Sequence, residues 1–230
     1  MKYVEIKKNL DPKVSGIREG VSQAHINDEC FVKSPWLKDF LYGTESGYQA
    51  GEIPSEIPAI DQIILNKKAK LNDFISVGAI LDGFFVNEKV QSILQGCNLP
   101  PHRFYPVTFD QQGTIIESYS WFYFNLIDGK KWVDYEKSLF DLAVYEFRFK
   151  QKFFINSYQD MVEFARITGR FPFAKRIVFT REFDCELDWF GLKIISTGNY
   201  ISGRLKEKLE KNKVIGYQTY QIHDPILEWQ

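Results

Sequence analysis

Four carboxylates at alternate positions form the clearest group of residues that could do chemistry. A single residue separates each neighbouring pair among Glu182, Asp184, Glu186 and Asp188. If the segment is a strand, all four project from one face about 6.8 Å apart, and the residues between them enter the core. Such a row is typical of a solvated face or a charged sheet edge. It could also dock a basic partner surface, whereas a straight strand spreads its carboxylates too far apart for a metal site.

A histidine and an arginine form the second candidate group, since His102 and Arg103 directly follow Pro100 and Pro101 and enter another predicted strand. Histidine titrates near neutral pH and is the side chain that most often acts as a general base. Catalysis would require a partner group that the local sequence does not identify. A structural role for His102 is therefore favoured, and a pocket near His102 and Arg103 is the alternative.

The cysteines and the known catalytic motifs provide no further site. Cys30, Cys97 and Cys185 are odd in number and lack the paired spacing of zinc or redox sites, so we expect free thiols, with a packing role for Cys97 and Cys185. No nucleophile elbow, phosphate-binding glycine loop or zinc cysteine pair occurs. We therefore predict no metal, no cofactor and no enzymatic activity, although many active sites have no local signature.

The elements that would position these residues include a unit that is used twice. Residues 82–90 align without a gap on residues 197–205, so that Gly83 falls on Gly198 and Asn87 falls on Ser202. Asn and Ser are both common helix N-caps. The pattern predicts related strand-helix-strand units at 76–110 and 191–225.

The segment between the two copies, 118–182, predicts a hairpin, a helix and a strand. Asp128-Gly129 lies between two aromatic runs and is a typical hairpin turn, because glycine tolerates a positive φ. Further on, Tyr145, Phe147 and Phe149 alternate with charged residues, which indicates one aromatic face and one charged face.

A helix is predicted after this aromatic segment. Ser157 and Asp160 resemble a capping box, and Gly169 marks the end of the helix. By contrast, residues 1–60 are expected to be largely irregular beyond a first strand at the amino terminus.

Composition indicates one aromatic-rich domain. The chain has 230 residues, of which 44% are hydrophobic and 16% aromatic, with 20 Phe. We predict a single domain over 1–230, with an α+β fold in which a few short helices accompany a mostly antiparallel or mixed, aromatic-rich sheet.

Charge and hydropathy argue against two classes of partner. A formal net charge of -1 creates no field that would attract nucleic acid or an anionic membrane. Neither a secretory signal nor an apolar run of about 18 residues is present, so a cytoplasmic location is expected.

The order of several motifs resembles the immunity-protein families of bacterial polymorphic toxin systems, some of them once known only as domains of unknown function. The resemblance covers roughly residues 60 to 222 and rests on Phe85-Val86-Asn87, His102-x-Phe104-Tyr105-Pro106-Val107, Trp121 and Val133-Asp134-Tyr135-Glu136-Lys137-Ser138. It implies a non-catalytic cytoplasmic antidote that binds a cognate toxin encoded by a neighbouring gene. It supplies no catalytic residues.

Three hypotheses follow for the function. In the first, the carboxylates from Glu182 to Asp188 imitate phosphate and dock a cationic toxin active site. In the second, the chain is an enzyme with a pocket near His102 and Arg103. In the third, the aromatic sheet encloses a cavity for a small ligand.

Overall fold

The computed structural model of the protein describes residues 3–27, 29, 32, 35, 38, 53–57, 60–78, 83–126, 129–192, 198–222 and 225–230. Within these residues, strands account for 39% and helices for 25%, in mixed sheets with aromatic clusters. The predicted α+β class is therefore confirmed.

The strands are numbered in chain order within the described residues. They are β1 (Tyr3–Lys8), β2 (Ala24–Ile26), β3 (Ile60–Leu65), β4 (Phe74–Ile75), β5 (Val77–Gly78), β6 (Phe84–Asn87), β7 (His102–Gln111), β8 (Thr114–Phe124), β9 (Val133–Asp141), β10 (Phe173–Phe179), β11 (Trp189–Gly191), β12 (Asn199–Ser202), β13 (Tyr217–Tyr220) and β14 (Ile226–Trp229).

The helices are short, as expected. Over the same residues they are α1 (Pro12–Ser15), α2 (Glu88–Gln95), α3 (Gly129–Trp132), α4 (Ala143–Phe149), α5 (Tyr158–Thr168) and α6 (Gly203–Lys211). The elements α1 and β2 occur in the stretch that was expected to be largely irregular.

The chain divides into two compact units, each assembled from separate segments. Unit 1 contains Met1–Glu5, Leu126–Gly203 and Tyr220–Gln230, and unit 2 contains Ile6–Asn125 and Arg204–Thr219. Each unit has a hydrophobic cluster of its own. The single domain over 1–230 stays a prediction.

Unit 2 is built on a seven-stranded mixed sheet in the order β4-β6-β8-β7-β3-β2-β5. Strand β8 lies inside this sheet, between β6 and β7, and its last four residues are aromatic and almost fully buried: Trp121, Phe122, Tyr123 and Phe124. Consecutive buried residues require cover on both faces of a strand. The aromatic-rich sheet predicted from composition therefore lies here.

The hairpin of unit 2 joins β7 and β8 at Gln112 and Gly113. Both residues have a positive φ, of 56° and 84°, as a two-residue turn of this hand requires. The hairpin predicted at Asp128-Gly129 is wrong. Asp128 lies outside the described residues, but Gly129 begins α3, and β8 pairs with β6 and β7 while β9 pairs with β10.

Unit 1 contains a three-stranded sheet in the order β14-β10-β9, and β11 pairs antiparallel with β12. Helix α5 buries Met161 and Phe164 in the core. Its first turn is capped as predicted, since Asp160 N donates to Ser157 Oγ at 3.1 Å, and the helix ends at Gly169 with φ 73°.

The twice-used unit is confirmed and extends further back than the sequence indicated. Phe74 pairs with Val86 in the first copy, and Trp189 pairs with Ile201 in the second, so both hairpins share one register. Helices α2 and α6 begin at equivalent positions, as do strands β7 and β13. Each copy therefore consists of a hairpin, a helix and a strand, in that order. Asp82 and Thr197, at the start of the sequence match, lie outside the described residues.

A buried aspartate precedes the hairpin in both copies. The backbone oxygens of Asp73 and Asp188 accept the N–H groups of Asn87 and Ser202, each at 3.0 Å. The Asp73 carboxylate also accepts from Asn87 Nδ2 at 2.8 Å and from Ile215 N at 2.7 Å. This aspartate holds the strand end from which α2 begins, and that explains why it is buried.

Candidate functional site

The predicted row of carboxylates does not form a strand. Residues 181–188 make turns between β10 and β11, and Glu182, Asp184 and Glu186 are exposed on them. The Asp184 side chain accepts the N–H of Glu186 at 2.9 Å, and a short polar side chain that bonds the following backbone favours a turn over a strand. The three exposed carboxylates, Glu182, Asp184 and Glu186, are called the carboxylate turn below.

The buried side chain of Tyr3 donates a hydrogen bond to the backbone of the carboxylate turn. Its hydroxyl lies 2.7 Å from the carbonyl oxygen of Cys185 and 2.8 Å from that of Leu187, and it donates to this pair. Burial raises the pKa of Tyr3, and the nearby Cys185 and Asp184 raise it further. The hydroxyl therefore keeps its proton, and it remains a donor, at any physiological pH.

Asp188 does not belong to the exposed group, contrary to the prediction. Its side chain is buried, and Ser202 Oγ donates to Asp188 Oδ1 at 2.5 Å. A buried carboxylate is stable only when its oxygens are hydrogen-bonded, and Ser202 meets that need. Asp188 is therefore a structural residue of the second copy of the repeat.

His102 and Arg103 lie on β7 and project from opposite faces of it, because successive residues of a strand alternate. His102 is half-buried between Phe104 and Phe122, and its Nδ1 lies 2.9 Å from the carbonyl oxygen of Pro100. Arg103 Nη1 donates to the carbonyl oxygen of Ser55 on the other face. The two side chains therefore lie on different faces of β7, and the pocket near them stays a prediction.

Two of the three cysteines are described, and neither forms a disulfide within the described residues. Cys97 is half-buried, and its Sγ donates to the carbonyl oxygen of Ile93 at 3.3 Å. Cys185 is exposed on the carboxylate turn, so the packing role expected for it is wrong. Cys30 lies outside the described residues. The part of the chain that the structure describes contains no cluster of three or more His, Cys, Asp or Glu arranged to hold a metal ion.

An exposed apolar surface on unit 1 is a feature that sequence reasoning missed. Phe147, Phe173 and Phe154 are 88%, 78% and 74% exposed, and Val144 and Leu139 are also exposed. These five residues are called the aromatic surface below. Large aromatic side chains are seldom left in water to this degree, and contiguous exposed apolar side chains are a common feature of surfaces that bind other molecules.

The sequence indicated aromatic residues in this segment, but their alternation predicted the two-residue period of a strand where the chain forms a helix. The alternation of Tyr145, Phe147 and Phe149 indicated one aromatic face, yet residues 143–149 form helix α4. At the helical period Tyr145 and Phe149 are half-buried, while Val144 and Phe147, three residues apart, lie on the exposed side. The predicted aromatic face is therefore wrong, and the helix exposes Phe147.

No protein-family model matches the chain, and no curated protein matches it. None of the described helices is long and apolar enough to cross a membrane.

Proposed function

We propose that this chain is a non-catalytic immunity protein that binds a cognate bacterial toxin in the cytoplasm and neutralises it. The aromatic surface carries this proposal, because aromatic side chains, Phe among them, are enriched in protein interfaces relative to the rest of the surface. The class of partner comes from the family resemblance of residues 60 to 222. A binding protein needs a surface of this kind and does not need an active site.

The arrangement of the candidate catalytic residues favours binding over catalysis. An enzyme of the kind considered would bring His102 and Arg103 together with a nucleophile or an acid. They lie on opposite faces of β7, and the hydrogen bond of the His102 ring goes to the backbone of Pro100. This contact is a structural one, between the His102 ring and the backbone two residues before it.

The carboxylate turn is proposed as a second toxin contact. Glu182, Asp184 and Glu186 are exposed together, and Tyr3 fixes the backbone that carries them. If the toxin has a cationic active site, these groups would imitate phosphate and speed association. Asp188, which is buried, is no longer part of this contact.

The function is tested by co-expressing this chain with the protein encoded by the adjacent gene. We expect the adjacent product alone to arrest growth, co-expression to restore it, and size-exclusion chromatography with light scattering to show a stable stoichiometric complex. A frameshifted copy of this chain serves as the control. An adjacent product that is harmless and forms no complex would contradict the proposal.

The carboxylate turn is tested by the double charge reversal Asp184→Lys with Glu186→Lys. We expect association with the toxin to slow at least tenfold at low salt, since steering depends on the charges near the contact. The matched control reverses two exposed carboxylates elsewhere, Glu117→Lys with Glu207→Lys, for the same change in net charge. Equal association rates for the two variants would remove the turn from the interface.

A further inference from the structure

We propose that the toxin binds the aromatic surface of unit 1 and meets it with an apolar patch rimmed by carboxylates. This inference rests on the proposed function and specifies the chemistry of the partner. It differs from the carboxylate turn, which would contact a cationic group.

The members of the aromatic surface are close together in the fold. In the β9/β10 ladder Phe173 pairs with Asp141, and Leu139 lies two residues before Asp141 on the same face of β9. Helix α4 begins two residues after Asp141, so Val144 follows within about 10 Å of chain. Phe147 lies one helical turn further on. The segments that carry Leu139, Phe173, Val144 and Phe147 are therefore neighbours in the fold.

The scaffold beneath this patch is well packed. The rings of Tyr145 and Phe164 lie 4.9 Å apart between α4 and α5, and those of Phe153 and Phe164 are also 4.9 Å apart. The backbone N–H of Phe153 donates to Glu146 Oε1 at 3.2 Å, which fixes the segment that carries Phe154 to α4. Residues on a fixed scaffold lose little conformational entropy when they bind.

The charges around the patch determine what kind of partner fits it. Arg148, Lys150 and Arg170 are exposed, and none of them has a carboxylate partner within the described residues. The nearby carboxylates are already occupied, because Asp141 contacts Lys175 at 3.7 Å and Glu146 contacts Lys152 at 3.6 Å. Within the described residues, the patch thus has positive charges without carboxylate partners at its rim, and carboxylates on the partner complement them.

A protein fits this patch better than an anionic membrane does. Phenylalanine and arginine are both enriched in protein interfaces relative to the rest of the protein surface. A lipid surface would also meet Asp141 and Glu146 beside the phenylalanines. The whole chain has a net charge of -1, so no long-range field draws it to a bilayer.

The apolar part of the contact is tested with Phe147→Ser, Phe154→Ser and Phe173→Ser, each assayed by calorimetry against the purified, catalytically inactivated product of the adjacent gene. We expect at least a tenfold weaker affinity for two of the three. The matched controls are Leu71→Ser and Ile115→Ser, which remove exposed apolar side chains from unit 2 and should leave affinity within twofold. Unchanged melting temperatures show that each variant is folded.

The charge part is tested with Arg148→Glu combined with Lys150→Glu. We expect affinity to fall at least tenfold, while the control pair Lys67→Glu with Lys211→Glu, exposed on unit 2, leaves it within twofold. If this charge reversal strengthened binding, the proposal that the partner presents carboxylates to the patch would be wrong.

The outcomes separate this inference from the function on which it rests. A tight, neutralising complex that survives all three serine variants would overturn the aromatic surface and leave the immunity function intact. Failure of the unaltered chain to bind or neutralise the adjacent product would overturn the function itself. The last probe is a vesicle of phosphatidylserine and phosphatidylcholine. If the unaltered chain sedimented with these vesicles and Phe147→Ser did not, the proposal that the surface binds a protein would be wrong.

Discussion

Among single residues, Asp188 differs most from its predicted role, which was that of an exposed carboxylate. It follows three exposed carboxylates at the same spacing, yet it is buried and accepts the Ser202 hydroxyl at 2.5 Å. Hydrogen bonds to charged groups contribute about 1.5–3 kcal/mol. We expect Asp188→Ala to lower the free energy of unfolding by about that amount in urea titrations. The control Glu182→Ala, which is exposed, should change it by less than about 0.5 kcal/mol, and equal effects would contradict this assignment.

Tyr119 gives a pH-dependent prediction at the same scale. Burial, with a smaller effect from the Asp73 charge, raises the pKa of Tyr119 from 10.0 to about 12. Its hydroxyl donates to the carbonyl oxygen of Asn72 at 2.7 Å. Because the unfolded state ionises first, this contribution to stability is complete below about pH 10 and is lost as the pH rises towards 12.

The measurement is the free energy of unfolding between pH 9 and pH 12, with Tyr119→Phe compared to the unaltered chain. We expect a smaller alkaline loss in Tyr119→Phe, by about 2 kcal/mol. Tyr220→Phe, at an exposed tyrosine, is the control and should follow the unaltered chain. Parallel curves for all three proteins would show that Tyr119 does not contribute.

Among the connections between elements, two glycines with positive φ allow the cost of backbone strain to be distinguished from the cost of a steric clash. Gly83, before β6, has φ 101°, and a Cβ there would lie 2.6 Å from the carbonyl oxygen of Phe122 and 2.6 Å from Trp121 Nε1. Gly169, at the end of α5, has φ 73° and open space around it. Alanine at Gly169 therefore meets only the strain of a left-handed backbone, about 1–2 kcal/mol.

We expect Gly169→Ala to lower the free energy of unfolding by about 1 kcal/mol and Gly83→Ala to lower it by more than about 3 kcal/mol, since Gly83 adds a clash with backbone atoms. Urea titration of both variants provides the comparison. If Gly83→Ala were no more destabilising than Gly169→Ala, the close approach of Gly83 to β8 would be incorrect.

At the scale of the whole molecule, neither half of the sequence contains a complete unit. Unit 1 takes Met1–Glu5 from the amino terminus, where Tyr3 joins its core, and unit 2 takes Arg204–Thr219 from the carboxyl-terminal half. We expect fragments 1–125 and 126–230 to lack cooperative unfolding when each is made alone, because each lacks part of a core. Near-ultraviolet circular dichroism and thermal melts measure this.

A variant of the second fragment supplies the control. Residues 126–230 with 1–5 fused through a flexible linker should regain more tertiary signal than residues 126–230 with a scrambled version of that pentapeptide. If fragment 126–230 melted cooperatively without residues 1–5, the core of unit 1 would not need those residues, contrary to this prediction.

Features that depend on neighbouring residues could be predicted from the amino-acid sequence alone. The match of Gly83 with Gly198 and of Asn87 with Ser202 located the repeat, and Ser157 with Asp160 located the start of α5, because capping and turn conformations are set by nearby side chains. The aromatic content correctly indicated an aromatic-rich sheet.

The side of each element that faces solvent and the pairing of the strands could not be predicted in this way, because both depend on how distant segments pack. Burial of Asp188 depends on Ser202, and the exposure of Phe147 depends on how α4 packs against Phe164 in α5. The parallel pairing of β10 with β14 joins segments that nearly fifty residues separate. Such long-range contacts leave no periodic trace in the local sequence, because burial is set by partners that are distant along the chain.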